Sequence, residues 1–210
     1  MVGFAISYTT LGIDALQISV ECDHEGSMQT GVNVVGLASN SVKESKDRVF
    51  TALRNSGLGY ASGRYTINLA PADIKKDSSS LDLPIAVAVL MNNKRIPELT
   101  LRKIGIIGEL SLDGNVRPVD GVLPIAIAAK RDQLDTLIVP IENAEEAAII
   151  DGLTVIPVTS LWETSQYLRG EAKILPAKVD RDKIFQVLND FPLDMHDVKG
   201  QFQVKRALEV

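Results

Sequence analysis

Apolar and polar residues alternate near the amino terminus, which is the pattern of strands that bury one face. Phe4, Ile6 and Tyr8 show this alternation, and a turn is predicted at Leu11-Gly12 before the pattern resumes. Asp113-Gly114, between two later apolar segments, is a strong β-hairpin signal. Further strands are predicted over Gly31–Val35, Tyr65–Leu69, Ile104–Leu112, Val116–Val119, Leu137–Pro140 and Thr154–Val158.

Between these strands, apolar residues recur at helical spacing. The first predicted helix starts near Ser41, which forms a capping-box pattern with Glu44. Because strands and helices alternate, we predict an α/β or α+β domain that ends near Gly170. The remaining predicted helices cover Leu83–Met91, Val122–Lys130, Ala144–Ile150 and Ser160–Leu168.

The residues after Gly170 have a different composition. Residues 171–194 combine prolines and many charges with little periodicity, and we interpret them as a linker. An amphipathic helix with Val204 and Leu208 on one side is predicted from Asp197 to Val210. It ends without a capping residue, so we expect the protein to continue. The predicted organisation is a domain over 1–170, a linker over 171–194 and the start of another module over 195–210.

Composition excludes several functional classes. The 210 residues carry a net charge of -5, which argues against a protein that coats DNA through bulk charge. Cys22 is the single cysteine, so no internal disulfide and no cysteine-based metal site is expected. The first residues contain neither a signal peptide nor a long apolar span, so we expect a cytoplasmic protein without a membrane partner.

Three ordered blocks of sequence resemble the ComM-type family of AAA ATPases, which is related to the magnesium-chelatase motor subunit. The blocks lie within Val34–Val49, Asn68–Ala86 and Gly108–Pro124, and the similarity continues to Glu146-Ala147. The resemblance implies a full-length ATPase that uses ATP and magnesium and forms a ring, such as a homo-hexamer. ComM-type proteins are associated with DNA branch migration during natural transformation, so DNA is an implied partner.

The end of the chain is similar to the start of the family's AAA motor, at Asp197–Gln201 and Lys205–Glu209. The resemblance places Val198 and Gly200 near the adenine of a nucleotide. The chain has no G-x-x-x-x-G-K-[ST] segment, which would cradle the phosphates. We therefore expect no cofactor in this chain, and we expect its partner to be its own motor domain.

The third block is also similar to the Lon protease domain, which implies a Lon-like fold with a mixed sheet and packed helices. By this resemblance Ser80 falls at the nucleophile, within one residue, and Leu123 falls at the catalytic lysine. Leucine cannot accept a proton, and Lys130 lies roughly 10 Å farther along the helix axis. Lys75 and Lys76 are expected to be solvated. The resemblance implies a non-catalytic domain, and the alternatives are a Lon-like serine peptidase using Ser80 or a magnesium-chelatase-type subunit.

Three cations of the Ser41 helix are candidates for contact with nucleic acid. Lys43, Lys46 and Arg54 fit one side of that helix. We expect no aromatic stacking residue to interleave with them, and the net charge is negative, so we favour a solvated helix face over a nucleic-acid contact.

Overall fold

The computed structural model describes residues 2–29, 31–36, 39–74, 76, 79–97, 102–179 and 195–209. The chain forms two compact units, Met1–Lys178 and Val179–Val210. Ile174 and Ala177, from the predicted linker, pack against the hydrophobic clusters of the first unit. The predicted division at residues 170 and 194 stays a prediction.

Within the described residues, seven strands form one mixed sheet: β1 (Gly3–Leu11), β2 (Asp14–Gly26), β3 (Gly31–Val35), β4 (Gly63–Ala70), β5 (Ile104–Ile106), β8 (Thr136–Pro140) and β9 (Thr154–Val158). Their order across the sheet is β3-β4-β2-β1-β5-β8-β9. The pairs β1–β2 and β2–β4 are antiparallel, whereas β3–β4, β1–β5, β5–β8 and β8–β9 are parallel. The predicted α/β class with a mixed sheet is confirmed. A separate hairpin contains β6 (Glu109–Leu110) and β7 (Val116–Arg117).

Helices pack on both faces of this sheet, because alternate strand residues point to opposite sides. On β1, Ala5 belongs to one hydrophobic cluster and Ile6 to the other. The first cluster includes residues of the helices α1 (Asn40–Asn55), α2 (Asp82–Asn92) and α5 (Leu161–Leu168). The second includes residues of α3 (Val122–Arg131) and α4 (Ala144–Ala147).

The two clusters cover the sheet unequally. Tyr65, Ile67 and Leu69 of β4 belong to the first cluster, so that face of the strand is buried. On the other face, Arg64 and Thr66 are exposed, and no described residue of β3 or β4 belongs to the second cluster. This end of the sheet therefore has one buried face and one polar, solvent-exposed face.

Three predicted elements are shorter in the structure. The predicted strand Val116–Val119 ends at Arg117. The predicted strand Ile104–Leu112 is divided into β5, which ends at Ile106, and β6, which covers Glu109–Leu110. Between them the Gly108 backbone pairs with Ser80 and Leu83 instead of continuing the ladder. The predicted helix Ala144–Ile150 ends at Ala147. The predicted cap at Ser160 is confirmed, since its hydroxyl accepts from the Glu163 N–H at 3.1 Å. The Ser41 side chain lies outside the described residues.

The second unit contains a 3-10 turn, Met195–Asp197, and the helix α6 (Phe202–Glu209). Val204 and Leu208 of this helix are largely exposed to solvent. Over the part of the chain that the structure describes, no helix has the length and apolar character needed to span a bilayer.

Candidate functional site

The predicted nucleophile Ser80 lies in a buried 3-10 turn, Ser79–Leu81, that leads directly into α2. The Gly108 N–H donates to the Ser80 carbonyl at 2.9 Å, and the Leu83 N–H donates to the Gly108 carbonyl at 2.9 Å. A Cβ at position 108 would lie 3.0 Å from Val116 Cγ1, so glycine permits this close approach. These contacts fix the serine turn beside Gly108 and Glu109, which we call the Gly-Glu segment.

A buried ion pair lies directly after this turn. Asp82 is fully buried and accepts from Arg48 Nε at 2.9 Å and from Arg48 Nη2 at 3.2 Å. It also accepts from the Leu110 N–H at 3.2 Å and from the Ser45 hydroxyl. The hydrogen bond with Asp82 raises the pKa of Arg48, so this side chain stays a cation. The pair connects α1, the start of α2 and β6.

Ser79 also has a carboxylate partner. Its hydroxyl donates to Glu109 Oε2, and Glu109 Oε1 lies 3.9 Å from Arg117 Nη1. Serine nucleophiles are activated by an imidazole or a neutral amine that accepts their proton. Neither group is among the contacts that the structure describes for Ser79. This hydrogen bond therefore joins the serine turn to β6 without forming a Ser-His or Ser-Lys pair.

Leu123, at the predicted lysine position, lies in the first turn of α3 and is half-buried. Gly121 precedes the helix in the left-handed region, with φ at 74°. The Leu123 N–H donates to Glu146 Oε1 at 2.9 Å, so a carboxylate from α4 satisfies one donor of the helix start. Lys130 on the same helix donates to the Gly152 carbonyl at 2.7 Å. The α3 helix therefore carries an aliphatic side chain at the position that the resemblance assigns to the catalytic lysine.

Lys76 is fully buried, so the expectation that it is solvated is wrong. Its amine donates to the Gly36 carbonyl at 2.9 Å and to the Pro71 carbonyl. Burial lowers the pKa of this amine. Lys76 therefore joins the segment after β3 to the segment after β4, and its donors are directed at backbone carbonyls. Lys75 lies outside the described residues.

Lys46 and Arg54, two of the candidate nucleic-acid contacts, line one groove between α1 and β3. Phe50 and Tyr60 line the same groove, with ring centroids 4.8 Å apart and an interplanar angle of 80°. The expectation that no aromatic residue interleaves with these cations is wrong, because Phe50 lies between them on the helix and Tyr60 reaches the groove from beyond it. Asp47 also lines it. The Lys43 side chain lies outside the described residues.

Val198 and Gly200, the predicted adenine contacts, are exposed in the second unit. The Val198 carbonyl accepts a hydrogen bond from Lys205 Nζ. A nucleotide site at these residues stays a prediction.

Comparison with known proteins identifies the family. A profile for the family described as "Subunit ChlI of Mg-chelatase" matches residues 20–143, more than half of the chain. An uncharacterized protein of Mycobacterium tuberculosis is 37% identical over 208 residues, covering 99% of this chain and 40% of that protein. The "Competence protein ComM" of Haemophilus influenzae is 33% identical over 205 residues, covering 97% of this chain and 40% of that protein. The chain belongs to the ComM-type, magnesium-chelatase-like family.

The Lon resemblance of this ComM-type chain also has a counterpart among known proteins. Lon protease 2 of Bacillus subtilis is 31% identical over 140 residues, covering 66% of this chain and 24% of that protein. The chain spans about 40% of the length of the ComM-type relatives it matches.

Sequence reasoning assigned candidate roles to Ser80 and Leu123 but did not predict the ion pair beside the serine turn. Arg48 and Asp82 belong to two different blocks of the family resemblance, 34 residues apart. The available signal for this pair was the presence of a cation in one block and an anion in the other, because a charge that becomes buried requires a partner. Glu109 belongs to the Gly-Glu segment, and its contact with Ser79 could not be read from spacing alone.

Proposed function

We propose that this chain is the non-catalytic amino-terminal domain of a ComM-like, cytoplasmic ATPase. The full-length protein is proposed to form a ring, such as a homo-hexamer, with its own AAA motor and to use ATP and magnesium. Its proposed role is in DNA branch migration or in DNA uptake and recombination. Support comes from the similarity to a competence protein along nearly the whole chain.

The observation that carries the non-catalytic assignment is the aliphatic side chain of Leu123 at the start of α3. A Ser-Lys dyad requires a neutral amine within hydrogen-bond reach of the serine. Leu123 cannot supply one, and the amines of Lys130 and Lys76 are hydrogen-bonded to backbone carbonyls. The domain is therefore proposed to position substrate or partner while the motor supplies the chemical energy.

A Lon-like serine peptidase is the second candidate function. The observation that favours it is the buried turn containing Ser79 and Ser80 directly before an apolar helix. In that case one of these hydroxyls attacks a peptide carbonyl, and a base outside the Lon pattern accepts its proton.

Full-length protein distinguishes the two functions. We expect ATP-dependent migration of a four-way DNA junction by the parent protein, and the same rate from a Ser79→Ala/Ser80→Ala double variant. A motor variant with its P-loop lysine replaced is the negative control. ATP-dependent cleavage of casein that the double variant lacks would overturn the non-catalytic assignment. A junction that the parent protein leaves unmoved would overturn the proposed DNA role.

A further inference from the structure

The strand β3 forms one end of the sheet. It pairs with β4 from Gly31 opposite Arg64 to Val35 opposite Asn68, and no strand pairs with its outer edge within the described ranges. Its five residues, Gly-Val-Asn-Val-Val, contain neither a charge nor a proline. Sheet edges are ordinarily protected from pairing by charged residues, proline, bulges or a covering element. The backbone groups on the outer edge of β3 are therefore suited to pair with an added strand.

Two grooves lie on opposite faces of the sheet at this edge, and Gly31 and Val32 line both of them. The α1 groove, about 250 Å³, contains Lys46 and Arg54. The sheet-face groove, about 500 Å³, lies over β2 and β4 on the polar face of the sheet. Successive side chains of a strand point to opposite faces. A strand added to β3 would therefore direct alternate side chains into the two grooves.

The two grooves have opposite charge. Two cations, Lys46 and Arg54, and one anion, Asp47, line the α1 groove, whereas Asp23 and Glu25 line the sheet-face groove with one cation, Arg64. The α1 groove thus favours acidic side chains, and its aromatic rings offer an apolar contact. The sheet-face groove favours basic side chains.

We propose that the outer edge of β3 binds an extended peptide segment of a partner protein by strand addition. In that segment, acidic or aromatic side chains that enter the α1 groove alternate with basic side chains that enter the sheet-face groove. Backbone hydrogen bonds supply affinity in this mode, and the pockets for alternate side chains supply specificity. A nucleic acid fits the edge less well, because its phosphates would approach the carboxylates of Asp23 and Glu25. The proposal is independent of the proposed function.

The test uses this chain and a fluorescein-labelled octapeptide, Tyr-Lys-Glu-Lys-Tyr-Lys-Glu-Lys. We expect saturable binding by fluorescence anisotropy, and slowed amide hydrogen exchange in β3 when the peptide is bound. A peptide of the same composition without alternation, Lys-Lys-Lys-Lys-Tyr-Glu-Tyr-Glu, should bind at least about tenfold more weakly, since its charges no longer match the two grooves.

Charge reversals identify the grooves. Arg54→Glu and Asp23→Lys should each weaken the octapeptide by about fivefold or more, because each places a like charge opposite the peptide. Lys173→Glu and Glu145→Lys are matched controls at exposed positions away from this edge, and they should bind as the parent does. A peptide with every lysine changed to glutamate should bind the Asp23→Lys variant more tightly than it binds the parent protein, because its acidic side chains then face a cation. Circular dichroism establishes that each variant is folded.

Several results would overturn the proposal. One is equal affinity for the alternating and non-alternating peptides, and another is binding that leaves exchange in β3 unchanged. Absence of octapeptide binding, with single-stranded oligothymidine binding that Arg54→Glu removes, would assign the α1 groove to nucleic acid. Concentration-dependent dimerisation that Arg54→Glu or Asp23→Lys removes, without octapeptide binding, would assign the edge to a second copy of the chain.

Discussion

Removal of the cation beside Asp82 tests how much the buried ion pair at the start of α2 stabilises the first unit. Arg48→Met deletes the guanidinium that donates to Asp82 at 2.9 and 3.2 Å and keeps most of the aliphatic stem. Asp82 has no exposed surface, and Arg48 is about one quarter exposed. The variant leaves the buried carboxylate with its hydrogen bonds from Leu110 and Ser45 but without its ion-pair partner.

The expected cost follows from the burial of the two partners. Removing one partner of a buried ion pair costs about 3–5 kcal/mol of unfolding free energy. Because the Arg48 side chain retains 27% exposure, we expect the lower end, about 3 kcal/mol. For a unit of this size, such a loss lowers the melting temperature by about 6–12 °C.

Urea unfolding followed by circular dichroism measures this cost. Arg117→Met is the control, because Arg117 is mostly exposed and lies 3.9 Å from Glu109, and it should cost less than about 1 kcal/mol. The double variant Arg48→Met/Asp82→Leu should be more stable than Arg48→Met, since it leaves no unpaired buried charge. A loss below about 1 kcal/mol for Arg48→Met would refute the conclusion that Arg48 and Asp82 form a stabilising buried ion pair.

Three further predictions concern other parts of the chain. Burial raises the pKa of the Cys22 thiol to about 12, so iodoacetamide at mildly alkaline pH should label the protein in urea but not the native protein, and rapid native labelling would contradict the assigned burial. Lys76→Met should cost about 2–3 kcal/mol in urea unfolding, because the Gly36 and Pro71 carbonyls lose their buried donor, and a neutral effect would contradict this. Because the chain has no P-loop, calorimetry with ATP and magnesium should detect no binding, and a micromolar affinity would refute that prediction.

Periodicity predicted those elements whose stability depends on one buried face. The strand Gly31–Val35 has the predicted bounds, and Val49, Phe50 and Leu53 form the buried stripe of α1. The family resemblance placed Ser80 directly before an apolar helix, where the structure has it. These features follow from local spacing and from long blocks of similar sequence, so one sequence was sufficient to predict them.

The remaining features depend on contacts between residues far apart in sequence. The predicted strand is divided between Ile106 and Glu109 because the Gly108 backbone pairs with Ser80 and Leu83, and no local propensity encodes that pairing. Lys76 is buried because carbonyls from two other segments accept its donors. Tyr60 joins Lys46 in one groove only because the chain folds back after α1. None of these contacts could be predicted from the spacing of residues along the chain.

Treatment with a fluorophosphonate serine probe, followed by peptide mass spectrometry, tests the non-catalytic assignment most directly. The reagent labels serines that an adjacent base has activated, whether or not a natural substrate is known. Our account predicts no adduct at Ser79 or Ser80 in the folded chain, under conditions in which an active serine protease in the same tube is fully labelled. An adduct at either serine that disappears in the corresponding alanine variant would contradict this prediction and show that the domain contains an activated serine.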